Sequence, residues 1–541
     1  DRFHGESVRF TDFHVQPLCT PTRGALMSAH RPIRNGAWAT CWGRSILRRS
    51  EYTLANAFAD SGYATGMFGK WHLGDNYPYR PQDRGFQQVV AHKGGGVGQT
   101  PDFWGNNYFD DTYFANGTPT TYEGYCTDVW FDQALQWIET SRDRPFFAYI
   151  ATNAPHSPYL VAKRYRKLYE DNPEIPNPAF YGMITNIDDN FGRLDAKLEE
   201  WGIRDNTILI FMTDNGSSGG ARLDRQAFCT SGYNAGMRGM KGSYYDGGHR
   251  VPCFIRWPDA GIQGGRDVGE MVLDIDFMPT LIDLCGLTPA DHAPFDGISA
   301  AKPLREVGAT MPDRVHFLQI RQGTEPPEQW ANAVITPRWR LVFGKDLYDI
   351  RVDPGQRHDL AADHPKVVEE LRAAHRDWWH DVSRHFDQLC PIVLGNDAEN
   401  PTTLSAMDVM GDVAWNQQHI VAAKTSTGRW AVEVEKLGSY LISLRRWPPE
   451  RDLPLAAAIT EEESMFLAPY NAPYVPPVAV NPTLARVVLF GEAHTIPVDP
   501  TSPEVRFEIT VEQTGTTELE AWFLDGGDGA CGAYYVVVER L

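Results

Sequence analysis

The stretch TILIFMTDNG, residues 207–216, decides the fold class. Thr207 to Met212 is almost continuously apolar, the pattern of a strand buried on both faces, and it stops abruptly in a carboxylate, a carboxamide and a glycine. Such strands belong to parallel sheets covered by helices, and polar residues at their carboxyl ends point into the crevice where these folds bind ligands. Immediately upstream, Ile187, Phe191, Leu194 and Leu198 recur at helical spacing, which predicts a helix from about Tyr181 to Trp201 with Gly202 as its stop. Tyr63 to Phe68 and Phe146 to Ala151 repeat the strand pattern, and helices are expected at Leu54 to Phe58 and Val129 to Ile138. None of the three strands is expected to have a wet face. The alternation predicts an α/β unit: a mixed, mostly parallel sheet between helices.

Past residue 310 the texture changes. Val315 to Gln319 and Trp339 to Phe343 read as short strands, followed by a helix with Asp363 as N-cap, Pro365 in its first turn and Val367, Leu371, Ala374, Trp378 and Val382 on one face. From Cys390 onward helical periodicity fades. Alternating segments at Trp430 to Val434, Tyr440 to Leu444, Val505 to Ile509 and Tyr534 to Val538 predict a β-sandwich, interrupted by a proline-rich stretch from Ala468 to Pro482. The expected division is therefore 1–310 for the α/β unit, 311–389 for a small α+β subdomain and 390–541 for a β-sandwich-like accessory region.

A chain of 541 residues, 42% hydrophobic and 12% aromatic, can bury a large core. No run approaches the ~18 apolar residues of a membrane-spanning helix, so no membrane partner is expected. The formal charge of −20 argues equally against a nucleic-acid partner. An anionic ligand would need a locally basic pocket. The eight cysteines lie far apart without CxxC pairs, which points away from a disulfide framework or a zinc site.

Four strand-to-loop junctions carry unusual polar groups. Asp214 and Asn215 are hard oxygen donors suited to a divalent cation, although Asp-Asn-Gly is also an ordinary turn. Phe68 leads into Lys70 and His72; Ala151 leads into Asn153, Pro155 and His156; Arg238 and Lys241 precede Asp246-Gly247-Gly248-His249-Arg250. Taken singly, each reads as a solvated or hydrogen-bonded loop. Taken together, two lysines and two histidines beside a hard-metal site describe a pocket for a tetrahedral anion. Cys19, in LCTPTRGALM (18–27), is the candidate nucleophile. A buried free cysteine is the bland alternative, but a helix N-terminus and Arg23 one turn later would favour negative charge at that position.

Cys-x-Pro-x-Arg, Gly-Lys-Trp-His, Ala-Pro-His, Thr-Asp-Asn-Gly and Arg-Gly-x-Lys, in that order, resemble the formylglycine-dependent type I sulfatases of the alkaline phosphatase superfamily. The likeness covers roughly residues 1–385, including Leu347-Tyr348-Asp349 and Asp353-Pro354-Gly355. It implies an alkaline-phosphatase-like fold and a sulfuric ester hydrolase in which a maturation enzyme converts Cys19 to Cα-formylglycine. The hydrated aldehyde would attack sulfur, the alcohol would leave, and the second hydroxyl would expel sulfate. On this resemblance Arg23 and Lys70 orient the hydrate, His72 assists its breakdown, and His156 and Lys241 bind sulfate and protonate the alcohol. Asp214 and Asn215 then ligate Ca²⁺ in preference to Mg²⁺.

Thr22 stands where the family most often has Ser, and Ser28-Ala29-His30 departs from its usual run. The family's first strand and its pair of metal-binding aspartates are expected upstream of Asp1, together with an export signal for a periplasmic or secreted location. The implied substrate is a sulfated carbohydrate or another sulfate ester. Trp38, Trp42 and Trp104, with Arg44, Arg48 and Arg49, are candidates for a sugar subsite, with core packing as the competing reading. Two other functions remain open: a phosphonate or phosphodiester hydrolase of the same superfamily, and a catalytically impaired protein that binds sulfated glycans.

Overall fold

The computed structural model describes residues 1–467, 474–525 and 530–541; the start of the Ala468 to Pro482 stretch lies outside them. The first 290 residues build two large sheets rather than one, besides the small hairpin Ala221–Leu223/Cys229–Gly232. In the first, Val8–His14 lies between Arg266–Leu273, to which it is parallel, and the antiparallel Cys253–Arg256, which pairs in turn with Leu209–Met212. In the second, Ala64–Lys70 runs parallel to both Gln88–His92 and Phe146–Ala151, and the hairpin Thr112–Ala115/Thr118–Thr121 adds an antiparallel edge.

Both sheets share the same helical covers. Cys19–Ser28, Leu54–Asp60 and Phe277–Cys285 pack Met27, Leu54, Phe58 and Leu281 against Phe13, Met67 and Val272 on one face. Cys126–Ser141 and Pro178–Glu200 cover the other with Phe131, Leu135, Leu194 and Leu198. The periodic residues of the long helix face inward as their spacing requires. Asn177 caps Phe180 N–H, Pro178 takes the first position, and Gly202 ends it with a positive φ of 70°.

Phe146–Ala151 and Leu209–Met212 each close one side of their sheet, and they contribute to the same two apolar clusters, so the two sheets meet at these strands. No ladder joins them among the described residues. Phe146 to Ile150 and Ile210 to Met212 are consequently half-buried, which corrects the expectation that these strands have no wet face. Their apolar composition suits a two-sided burial that the edge position only partly supplies.

The meander His316–Gln319, Asn332–Ile335, Trp339–Val342 and Asp346–Asp349 packs one face on the helix Pro365–Val382 and the other on Ala25, Met271 and Ile275. Asp363 does not cap that helix. The residue before a proline is held out of the helical region, so the boundary falls at His364, which offers no side-chain cap. Beyond residue 390, Thr402–Ser405, Tyr535–Arg540, Gly438–Arg445 and Val505–Val511 form one sheet. It packs Leu404, Ile442, Phe507 and Val536 against Val432 and Val487 of a second sheet. Cys41, Ile46 and Tyr79 of the first unit complete this core. Among the described residues, no helix is long and apolar enough to cross a membrane.

Candidate active site

Cys19 is the first residue of the helix Cys19–Ser28; Pro21 sits in the first turn, where a missing N–H costs nothing. The side chain is 3% exposed, and its Sγ lies 3.5 Å from His72 Nδ1. Burial alone would raise the thiol pKa, but Lys70, Lys241 and His72 outweigh it and hold it well below the usual value.

Lys70 ends the strand Ala64–Lys70, 2% exposed. The strand can turn there because residue 69 is glycine: with φ +111°, a Cβ would lie 2.1 Å from the Ala151 carbonyl oxygen. Burial, offset by Cys19 and reinforced by Arg23, lowers the Lys70 pKa to about 8. His72 follows, its Nε2 3.0 Å from the Thr40 carbonyl. A carbonyl only accepts, so Nε2 carries the proton and Nδ1 presents its lone pair to residue 19.

Arg23 donates from Nε and Nη2 to Asp214 Oδ2 at 3.0 and 2.8 Å, and from Nη1 to the Lys70 carbonyl at 2.8 Å. The guanidinium therefore ties the Cys19 helix to the carboxyl end of one strand in each of the two large sheets. Despite burial, Arg23, Lys70 and Lys241 hold Asp214 ionised, far below the normal carboxylate range. Asn215 turns its Nδ2 to the Gly216 carbonyl and leaves Oδ1 buried without a partner. Ionised Asp214 and that orphaned oxygen fit a hard divalent cation in kind, though they supply two of the six to eight oxygens Ca²⁺ takes.

The Lys241 loop is stitched into the same crevice. Lys241 N–H donates to Ser217 O, Gly242 N–H to Pro17 O, and Gly216 N–H to Gly248 O, each within 3.0 Å. His156 donates from Nδ1 to the Ser157 carbonyl at 2.7 Å, leaving Nε2 free. Desolvation first, then Lys241 and Lys70, push its pKa well below the ordinary value, so the ring is neutral near pH 7.

Each sequence-predicted site residue is thus placed at one pocket. Four of the six subsite candidates are tied into the fold instead. Trp38 and Trp104 are buried, Arg44 lies over Trp38 and donates to the Phe386 and Gln388 carbonyls, and Arg49 pairs with Glu433. These residues hold the fold. Sequence reasoning missed the glycine run 94–96, although three consecutive glycines signal a close backbone approach. A Cβ at Gly95 would overlap the His72 ring at 2.2 Å.

A model of the sulfatase family, described as Sulfatase, matches residues 1–287, more than half of the chain. The chain belongs to the sulfatase family. The chain is similar to the arylsulfatase of the sea urchin Hemicentrotus pulcherrimus, 30% identical over 57% of each sequence. It is also similar to human arylsulfatase A, 26% identical over 69% of this chain and 80% of the human enzyme. It therefore spans little more than half the length of the sea-urchin enzyme. Among solved sulfatase structures, Ps i-CgsB in complex with k-i-k-neocarrahexaose superposes with a TM-score of 0.61 at 23% identity, over 70% of this chain and 86% of that one. BT4656 in complex with its substrate D-glucosamine-2-N,6-O-disulfate gives 0.57 at 17%, over 72% and 94%. At those identities the superpositions establish the shared sulfatase fold.

Proposed function

We propose that this protein hydrolyses sulfate esters of sulfated carbohydrates, with Cys19 matured to formylglycine and Ca²⁺ held by Asp214 and Asn215. The observation that carries the reading is the convergence of Lys70, Lys241, His72 and Arg23 on one helix-terminal residue of the family's motif. The carbohydrate substrate class rests on neighbours of the same fold crystallised with sulfated sugars.

The matured residue supplies, as its hydrate, the nucleophile toward sulfur, and Ca²⁺ supplies Lewis acidity to the sulfate oxygens. The chain's own groups do the rest. Lys70 and Lys241 bring two cations to a charged substrate in a protein of net charge −20. His72, locked by Thr40, offers Nδ1 as the base that takes a proton from residue 19. Burial first, then Lys241 and Lys70, keep His156 neutral in the free site; the charge of a bound sulfate partly offsets the two lysines and favours a proton on Nε2, next to the departing alcohol. Arg23 holds Asp214 through Oδ2, and Asp214 together with the buried, unpartnered Asn215 Oδ1 would hold the metal.

Side-by-side turnover of an aryl sulfate and an aryl phosphate tests the reading, with tandem mass spectrometry of the residue 19 peptide. Preferred turnover of the sulfate by aldehyde-bearing protein, lost on chelation and restored by Ca²⁺, is expected. Full activity with an intact thiol, or preference for the phosphate, would overturn it.

A further inference from the structure

Of the sixteen tryptophans, one is exposed by more than a third: Trp415, at 39%. It belongs to the β-sandwich region, yet its backbone is tied to the segment 94–100, whose Gly95 and Gly96 lie against His72 and His156. Thr100 N–H donates to the Trp415 carbonyl at 3.1 Å, Thr100 Oγ1 donates to Ala414 O, and Gln99 and Asn416 form an antiparallel bridge. The turn closed by Gln99 N–H to Gly96 O then leads straight to the catalytic histidine: a Cβ at Gly96 would lie 3.4 Å from Gln99 Nε2 and 3.7 Å from His156 Nδ1. From His156 across that turn and bridge the path is on the order of 15 Å.

The indole is also fixed in place. Asn416 Oδ1 caps the short helix Gln417–Val421 by accepting from His419 N–H, and the His419 ring stands edge-on to Trp415 at 5.2 Å and 84°. Gln417 anchors the same segment to the pocket loop, donating from Nε2 to Phe103 O and accepting at Oε1 from Gly105 N–H. A large apolar ring braced by this contact and left partly wet, on a segment tied to the loops around His72 and His156, has already lost part of the rotational freedom that binding would otherwise remove.

We propose that Trp415 is a stacking platform for a sugar ring of the glycan whose sulfated unit occupies the Cys19 pocket, so that the accessory β-sandwich supplies a substrate subsite. This rests on the carbohydrate reading above. A pyranose presents a face of C–H groups to an aromatic ring while its hydroxyls stay solvated. The platform is beyond the reach of a small aryl ester and within reach of the neighbouring units of an oligosaccharide.

The test uses full-length protein with residue 19 converted, and three substrates: a small aryl sulfate, a carrageenan hexasaccharide and a sulfated glycosaminoglycan hexasaccharide. Trp415→Ala is expected to raise KM for the accepted hexasaccharide about tenfold. The aryl sulfate constants should stay within about twofold and Trp415→Phe should retain most of the affinity. If near-UV circular dichroism shows that the alanine variant has lost its fold, Trp415→Gln removes the stacking ring with a bulkier replacement and is read in the same way. Equal losses on the aryl and hexasaccharide substrates, or an unchanged hexasaccharide KM, overturn the platform alone. Wild-type turnover of the aryl sulfate with neither hexasaccharide accepted removes the carbohydrate reading and the platform together.

Discussion

Cys19 and Lys70 each favour the charged form of the other, and the proposed maturation would change both. In the unmodified protein the thiolate at position 19 is favoured by Lys70, Lys241 and His72, whereas burial pushes Cys41, Cys126, Cys253, Cys285 and Cys390 in the opposite direction. Iodoacetamide at pH 7 is therefore expected to alkylate Cys19 before those five, as read by peptide mass spectrometry, and any fraction carrying the aldehyde to escape alkylation and react with a hydrazide instead. Conversion also withdraws the anion that supports the Lys70 ammonium, whose pKa is lowered to about 8 even with the thiolate beside it. A lowered lysine pKa means the cation is present below that value and lost above it. The pH profile of kcat/KM on an aryl sulfate should accordingly fall on its alkaline side at or below about pH 8, and a limb near the lysine reference of 10.5 would contradict the assignment. These residues were legible in the sequence because each follows an apolar strand or opens a helix beside Gly or Pro. His72's tautomer and the neutrality of His156 were not, since the first depends on the Thr40 carbonyl and the second on burial beside Lys241, set by residues remote in the chain.

Among the elements, Val8–His14 shows how a sequence pattern conceals a strand. Its inward residues include Asp12 and His14, both buried, so the strand lacks the apolar run that marks the Thr207 to Met212 segment. What makes those polar residues tolerable lies more than two hundred positions away: Arg340, fully buried on the meander strand Trp339–Val342, donates to Asp246 at 2.9 Å and to Asp12 at 3.2 Å. His14 shares a contact of 3.0 Å with His249. This network joins the meander to the loop that carries Lys241. Removing the arginine leaves two carboxylates in a low-dielectric interior, and Arg340→Met should cost about 3–5 kcal/mol of unfolding free energy in urea titrations. Pairing it with Asp246→Asn should recover part of that loss, because one of the stranded charges goes with it. A loss no larger than that of a surface substitution would show the network to be dispensable.

At the scale of the whole molecule, the region after residue 390 is bound into the catalytic unit. Trp42 N–H donates to Met407 O, Tyr79 Oη to Pro391 O and Asn76 Nδ2 to Thr403 O, while Ile46 and Tyr79 sit in the sandwich core beside Ile392 and Leu394. Three of the loops involved, around Thr40, Asp75 and Gly95, enclose His72. The change of texture at Cys390 was visible in the sequence, but not this dependence, because a boundary in hydrophobic period says nothing about which loops cross it. Two units that share buried apolar residues cannot open independently without exposing them. Calorimetry of the intact chain is therefore expected to show a single cooperative transition, with the van't Hoff enthalpy close to the calorimetric one. Ile46→Ala should shift the whole of that transition downward, by an amount in the range of about 2–5 kcal/mol for a deleted core isoleucine. Two resolved transitions, with only the later-sequence one moved by Ile46→Ala, would instead mean that the sandwich unfolds by itself and that its hold on the His72 loops is secondary.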